Sequence, residues 1–296
     1  MMLPTAYCLL PAYCSLRLPP DRPPFSSFYP LLVDDLSVAL AAARVGAGIV
    51  GAAFGGAQSA EFKGAVDPVT EIDRLAETAI LDVLASERPG DGVLAEETGG
   101  SRNLAGRHWI VDPLDGTVNF VHGIPQVAVA VGLYEDGHPR VGVVVDPIRG
   151  EEFTAVIGDG ARLNGEAITV SGRDLSDGVI ATGFPYDRRD QGGRYADIVG
   201  TVLGRARGVR RFGSAALDLA WVACGRLDGY WEFGLGPWDI AAAMVLVQEA
   251  GGRVTDHRGT PSRVFDSLFV AGNPSLQEEL RTLVGSVLPE GWPENR

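Results

Sequence analysis

Cysteine is scarce in this chain of 296 residues: Cys8, Cys14 and Cys224 are the only three. Their odd number and wide spacing match neither a disulfide framework nor a metal or redox motif, so a reducing cytoplasm is the expected compartment. Histidine is nearly as rare. His108, His122, His138 and His257 form no His-Glu-x-x-His pair, which disfavours a zinc hydrolase, and no Gly-x-Ser-x-Gly nucleophile elbow is present. Positive charge is also in deficit: 25 Lys and Arg stand against 38 Asp and Glu, for a net charge of −13. An acidic surface repels a phosphate backbone, so nucleic acid is not an expected partner. Neither an internal repeat nor a low-complexity linker is read, nor a span long enough for a membrane. What remains, 46% hydrophobic and 21% charged, is the composition of a soluble globular protein.

The most informative stretch is Trp109-Ile110-Val111-Asp112-Pro113-Leu114-Asp115-Gly116-Thr117-Val118-Asn119-Phe120. An apolar run stops at a carboxylate, a second carboxylate follows three residues later, and Gly and Thr open a predicted helix. Strands of open α/β sheets carry their chemistry at such ends. Two aspartates around a proline can aim their oxygens at one place with the Leu114 carbonyl between them, a hard oxygen set that suits Mg²⁺ or Mn²⁺ better than zinc. Backbone N–H groups of Gly116 and Thr117 at a helix start favour a phosphate beside that metal. The spacing differs from Asp-x-Asp-Gly-Thr, because Pro113 occupies the position of the haloacid-dehalogenase-type nucleophile; an aspartyl-phosphate route is therefore not expected. Read blandly, the pair is an Asx turn that caps a helix.

Along the chain, residues 1–32 are Pro-rich and without period, and are expected to be a flexible extension or the product of a misplaced start codon. Helices are predicted over about 33–54 and 70–87, with Thr70 as N-cap of the second, and a loop or short hairpin over 57–69. A short strand at 93–95 ends in Glu96-Glu97. After the central strand, β-rich runs at 127–134, 140–145, 152–157 and 168–170 describe a meander. The second half alternates strands at 178–182, 209–212, 227–233 and 267–271 with helices at 194–205, 214–225, 237–250 and 274–287. One compact unit over 33–288 is expected, dividing near residue 176 into a metal and phosphate half and a substrate half, with residues 289–296 as a tail.

Other acids stand at element ends: Asp73 in a first turn, Glu96 beyond a strand, Asp239 after Trp238 at a helix start. Singly, each has the ordinary explanation of complementing a helix dipole. Together, Asp67-Pro68-Val69-Thr70-Glu71-Ile72-Asp73, Glu96-Glu97, the Asp112–Phe120 stretch, and Trp238-Asp239-Ile240-Ala241-Ala242-Ala243 with Glu249-Ala250-Gly251-Gly252 resemble, in order, the signatures of the inositol monophosphatase family. The resemblance covers about residues 35–285.

That resemblance implies a five-layered αβαβα sandwich of the inositol monophosphatase and fructose-1,6-bisphosphatase type. It also implies a homodimer that hydrolyses phosphate monoesters with two or three Mg²⁺ ions and is often inhibited by Li⁺. Carried over residue by residue, Glu96, Asp112 and the Leu114 carbonyl would hold one ion, and Asp112, Asp115 and Asp239 another, with Glu96 also supporting a weaker third. Asp73 and Thr117 would orient and deprotonate the attacking water, and Glu96 would share in catalysis. Gly116 and Thr117 would hold the phosphate, while Gly213, Ser214, Ala215, Glu232, Asp115 and Asp239 would contact the substrate. Departures from the family pattern, Ala95, Ala243 and Gly236-Pro237, touch pocket shape and remove no charged ligand.

The expected substrate is a small phosphorylated polyol, inositol 1-phosphate, because Asn119-Phe120 replaces the Glu-Phe of relatives acting on 3′-phosphoadenosine 5′-phosphate. Histidinol-phosphate phosphatase and fructose-1,6-bisphosphatase are the rival activities; the Arg88-Pro89-Gly90-Asp91-Gly92 turn resembles that of some histidinol-phosphate enzymes. A rival of another class is a protein that binds the transcription machinery, as some bacterial relatives do.

Overall fold

A computed structural model of the chain describes residues 29–56, 60–62, 68–185, 187–288 and 292. Expectations for residues 1–28, for Asp67 and for most of the C-terminal tail lie outside the described residues. Helix α1 (Tyr29–Ala53) begins four residues before its predicted start, and the hairpin expected before Asp73 forms as β1 (Ala60–Phe62) antiparallel to β2 (Pro68–Thr70). Then come α2 (Glu71–Glu87), β3 (Gly92–Ala95), β4 (Gly99–Gly100), β5 (Arg107–Asp115) and the single turn α3 (Thr117–Val121). The meander is β6 (Ala128–Glu135), β7 (His138–Asp146), β8 (Glu151–Val156), β9 (Gly160–Leu163) and β10 (Glu166–Ile168). Strand β11 (Val179–Thr182), helix α4 (Arg188–Leu203), β12 (Gly208–Arg210), α5 (Ala215–Ala223), β13 (Gly229–Phe233) and α6 (Pro237–Glu249) follow. The chain closes with β14 (Arg253–Thr255), which the sequence reading missed, β15 (Leu268–Gly272) and α7 (Pro274–Gly285).

The strands form an eight-stranded sheet in the order β10-β9-β8-β7-β6-β5-β3-β4 and a five-stranded sheet in the order β12-β11-β13-β15-β14. Helices α1 and α2 lie on one face of the first sheet, α5 and α6 between the two sheets, and α4 and α7 on the outer face of the second. This is the αβαβα sandwich. The side-chain alternation of the strands explains why it has three apolar layers. In β5, Trp109 and Val111 join Val38, Ala42 and Ile80 in the first layer, while Ile110 joins the central one. In β13, Tyr230 packs centrally, and Trp231 and Phe233 pack outward against Tyr195 and Leu280. Strands buried on both faces need near-continuous apolar runs, which is why they read so clearly in the sequence.

Two glycines let α6 come down onto the first sheet. A Cβ on Gly142 would stand 2.2 Å from the Ala242 carbonyl oxygen, and one on Gly132 would stand 3.1 Å from the Ala242 nitrogen. The run Ala241-Ala242-Ala243 is small for the same reason, and the N-terminus of α6 is thereby brought to the end of β5.

The expectation of no membrane-length span needs correcting for α1: Asp35–Ala53 is long and apolar enough by composition, with mean hydropathy 1.7. Its apolarity is used in packing. Val38, Ala39, Ala42, Ala43, Ala47 and Val50 are buried against α2 and the first sheet. In the tail, Trp292 sits with its ring 4.5 Å from that of Phe233.

Candidate active site

The irregular end of β5 builds the floor of the site. Its pairing with β6 shifts register between Asp112 and Asp115, so Pro113 and Leu114 bow out of the ladder and both carboxylates reach one side. The strand therefore runs past the point where the sequence suggested it stops. Gly116 then turns the chain at φ +93°, and a Cβ there would lie 2.7 Å from the Gln126 carbonyl oxygen. Only glycine meets both conditions. Because α3 has five residues, it brings little macrodipole, and what it offers a phosphate is local N–H groups.

Five carboxylates line one cavity of about 110 Å³: Glu96, Asp112, Asp115, Asp239 and Glu232, with Leu114, Gly116, Thr117, Gly213 and Ala215 around them. Strand β5 supplies Asp112 and Asp115, and other elements bring the rest. Glu96 follows β3, and the next two amides are anchored by Glu77 of α2, which accepts from Glu97 N and Thr98 N at 2.8 Å each. Asp239 lies in the first turn of α6 and accepts from Gly236 N at 2.7 Å. Asp115 Oδ2 accepts from Ser214 Oγ at 2.6 Å and from Ala216 N at 2.8 Å, at the start of α5.

Asp73 does not line the cavity; it stands behind Thr117. Its Oδ2 accepts from Thr70 N at 2.8 Å, forming a capping box, and its Oδ1 accepts from Thr117 Oγ1 at 3.0 Å. The same Thr117 hydroxyl lies 3.1 Å from the Leu114 carbonyl oxygen, so one proton is shared between two acceptors. Ser214 is likewise behind the wall, its hydroxyl given to Asp115. The other proposed substrate contacts, Gly213, Ala215, Glu232, Asp115 and Asp239, do face the cavity.

Burial and mutual repulsion raise these acids. Asp112 is pushed well above its ordinary value by burial first and then by Glu96, Asp115 and Asp239; Asp239 is raised by burial, Glu96 and Asp115. Burial pushes Asp115 up to about 6 against the pull of Ser214 and the α5 amides, and Glu232 up to about 7 against Tyr230 and Arg211. Burial also raises Asp73 against its three side-chain and backbone donors at Thr70 and Thr117.

The donor set fits a hard divalent cation. All the groups are oxygens, and Asp112 Oδ2 is buried with no hydrogen-bond partner, an orphan that a cation would satisfy. Among the described residues no three His, Cys, Asp or Glu side chains already stand as a closed ligand group; the carboxylates face a shared space without converging.

Several residues escaped the sequence reading. Arg188, Arg211 and Phe184 line the cavity, and Asp218 of α5 is buried beside it with Oδ1 unpartnered. The doublet Arg210-Arg211 before Phe212-Gly213 was the available signal for one of them; Asp218, inside an apolar helix, offered none but its own oddity. Asn119 proves to be a tie: its Nδ2 donates to Gln126 O at 2.8 Å and Phe212 O at 2.9 Å, which an ionised Glu could not do. Asp91 accepts from Trp109 Nε1 at 2.9 Å and pairs with Arg107 at 3.1 Å, so the Arg88–Gly92 turn braces the edge of β5 and does not line the cavity.

A two-sheet αβαβα protein with an acidic, oxygen-only pocket at the junction of its sheets and central helices defines the class. The chain belongs to the inositol monophosphatase family, whose model matches residues 32–288. It is 45% identical over 231 residues to a protein of Mesorhizobium japonicum named inositol-1-monophosphatase, covering 77% of this chain and 87% of that one. It is 44% identical over 237 residues to Nus factor SuhB of Pseudomonas aeruginosa, covering 78% and 88%. Among solved structures, the suhB protein of Bartonella henselae is 40% identical with a TM-score of 0.80, covering 84% of this chain and 98% of that one. The IMPase of Thermotoga maritima is 36% identical with a TM-score of 0.79, covering 86% and 98%.

Proposed function

We propose that this protein is a Mg²⁺-dependent phosphomonoesterase that hydrolyses inositol 1-phosphate to inositol and phosphate. The observation that carries the reading is the orphaned, buried Asp112 Oδ2 in a cavity lined by five carboxylates, beside Gly116 and Thr117. Glu96, Asp112, the Leu114 carbonyl, Asp115 and Asp239 are the residues that would hold the ions. Two Mg²⁺ or Mn²⁺ ions there would acidify a water molecule and offset the charge of an in-line phosphoryl displacement.

The chain's own residues supply the rest. Thr117 shares its hydroxyl proton between Leu114 O and Asp73, so a water that donates to Thr117 Oγ1 can pass charge towards a carboxylate already raised by burial. Gly116 and Thr117 line the place for the phosphate. Across the cavity, Glu232 offers an acceptor for sugar or inositol hydroxyls, with Arg211 and Gly213 beside it. A site built around buried polar groups rejects a ligand that leaves them unpaired.

Phosphate release with and without Mg²⁺ from inositol 1-phosphate, histidinol phosphate, fructose 1,6-bisphosphate and 3′-phosphoadenosine 5′-phosphate tests the reading. Mg²⁺-dependent preference for the inositol ester is expected. Preference for another ester would overturn the substrate, and turnover of none would overturn the activity. The likeness to proteins named Nus factor SuhB favours a second reading, association with the transcription machinery; capture of purified RNA polymerase, alongside the phosphatase assay, tests it. The family likeness also supports a cytoplasmic homodimer, which light scattering and cell fractionation would check.

A further inference from the structure

Glu232 is held by contacts that the hydrolysis itself does not use. Tyr230 and Glu232 are two residues apart on β13 and so share its inner face. Tyr230 is fully buried, and its hydroxyl donates to Glu232 Oε2. The carboxylate packs directly on the backbone of Gly183, just after β11: a Cβ there would lie 2.1 Å from each Glu232 oxygen. Asp115 and the buried Asp218 act on the same carboxylate with like charge, and Arg211 acts on it with opposite charge. One neutral hydroxyl holds the carboxylate, and one missing methyl leaves the space it fills.

We propose that Tyr230 is a positioning residue for substrate choice: together with the bare backbone at Gly183 it pins one oxygen of Glu232 and leaves the other as the acceptor for a substrate hydroxyl. This rests on the polyol-phosphate reading above. It predicts a selective effect. An aryl phosphate has no hydroxyl to offer Glu232, so loss of the Tyr230 hydroxyl should weaken the inositol ester and not the aryl ester.

The test is a double-variant cycle in Mg²⁺ with inositol 1-phosphate and p-nitrophenyl phosphate, using Tyr230→Phe, Glu232→Ala and the pair. Tyr230→Phe is expected to raise KM for inositol 1-phosphate relative to p-nitrophenyl phosphate by roughly tenfold, the worth of one hydrogen bond to a charged group. In the Glu232→Ala background it should change that ratio no further. Equal loss on both esters, or the same loss in both backgrounds, would mean that Tyr230 only supports the fold, and overturns the proposal. Should Tyr230→Phe fail to fold by circular dichroism, Gly183→Ala takes its place in the cycle, because the added methyl must displace the same carboxylate; an unselective loss there overturns the proposal as well. Failure of the wild type to turn over either ester overturns the phosphatase reading and this one with it. A Glu232→Ala variant with an altered ratio beside an unaltered Tyr230→Phe overturns this one alone.

Discussion

Replacing Asp115 by Asn removes one charge from the carboxylate pocket while keeping the shape of the side chain. Asn Oδ1 can accept from Ser214 Oγ and Ala216 N as Asp115 Oδ2 does. In the folded chain Asp115 is raised from 3.8 to about 6, first by burial, so the folded state holds this proton more tightly than the unfolded one. The stability that goes with the proton is complete below about pH 3.8 and is lost as pH rises through about 6. Over that window the loss is on the order of 3 kcal/mol, or about 6 °C in Tm for a chain of this size. Asn does not titrate, so Asp115→Asn should be the more stable protein in EDTA at pH 8, with the gap closing towards pH 4. Urea denaturation across that range measures it. Mg²⁺ should reverse the order at pH 8, because it binds and stabilises the ionised pocket of the wild type, and should do little near pH 4, where protons compete for the same oxygens. A gap that does not change between pH 4 and 8, or a variant less stable than wild type in EDTA at pH 8, would refute the reasoning.

Asp112→Asn should lower turnover at ordinary Mg²⁺ by on the order of a thousandfold while the circular dichroism spectrum is kept; near wild-type turnover would remove Asp112 from the site. Thr117→Val deletes the hydroxyl between Leu114 O and Asp73 and should reduce kcat about a hundredfold with little change in KM, read from steady-state kinetics. Glu77→Gln can satisfy only one of the amides of Glu97 and Thr98 that Glu77 now accepts from. The loop holding Glu96 should loosen, and the Mg²⁺ concentration for half-maximal activity should rise roughly tenfold. Gly116→Ala meets both a φ of +93° and a carbonyl oxygen at 2.7 Å, and should cost on the order of 3 kcal/mol in urea denaturation.

The acids of the pocket, and Asp73 behind it, were legible because each stands at an abrupt change of pattern: Asp112 ends an apolar run, Asp73 and Asp239 open helices, Glu96 follows a short strand. The layers were legible because strands buried on both faces leave long apolar runs. Strand β14 was not, since Arg253-Val254-Thr255 is three residues with one buried side chain, too short for any period to show. Ser214 is expected as a substrate contact only through the family resemblance; its bond to Asp115 joins residues 99 apart in the chain, a distance over which local pattern carries no information. In sequence Tyr230 is one aromatic among several, beside Trp231 and Phe233.

By itself the sequence determined which oxygens could serve and which elements carry them, because helix caps, turn residues and alternation are local properties of the chain. Only the tertiary structure decided what each oxygen faces. The register shift in β5 turns Asp112 and Asp115 to one side, the glycines under α6 bring Asp239 down to them, and Asp112 is left buried with an unpartnered oxygen. Those are consequences of packing between distant segments, where close approach and lost solvent set the charge of a group more than its neighbours in sequence do.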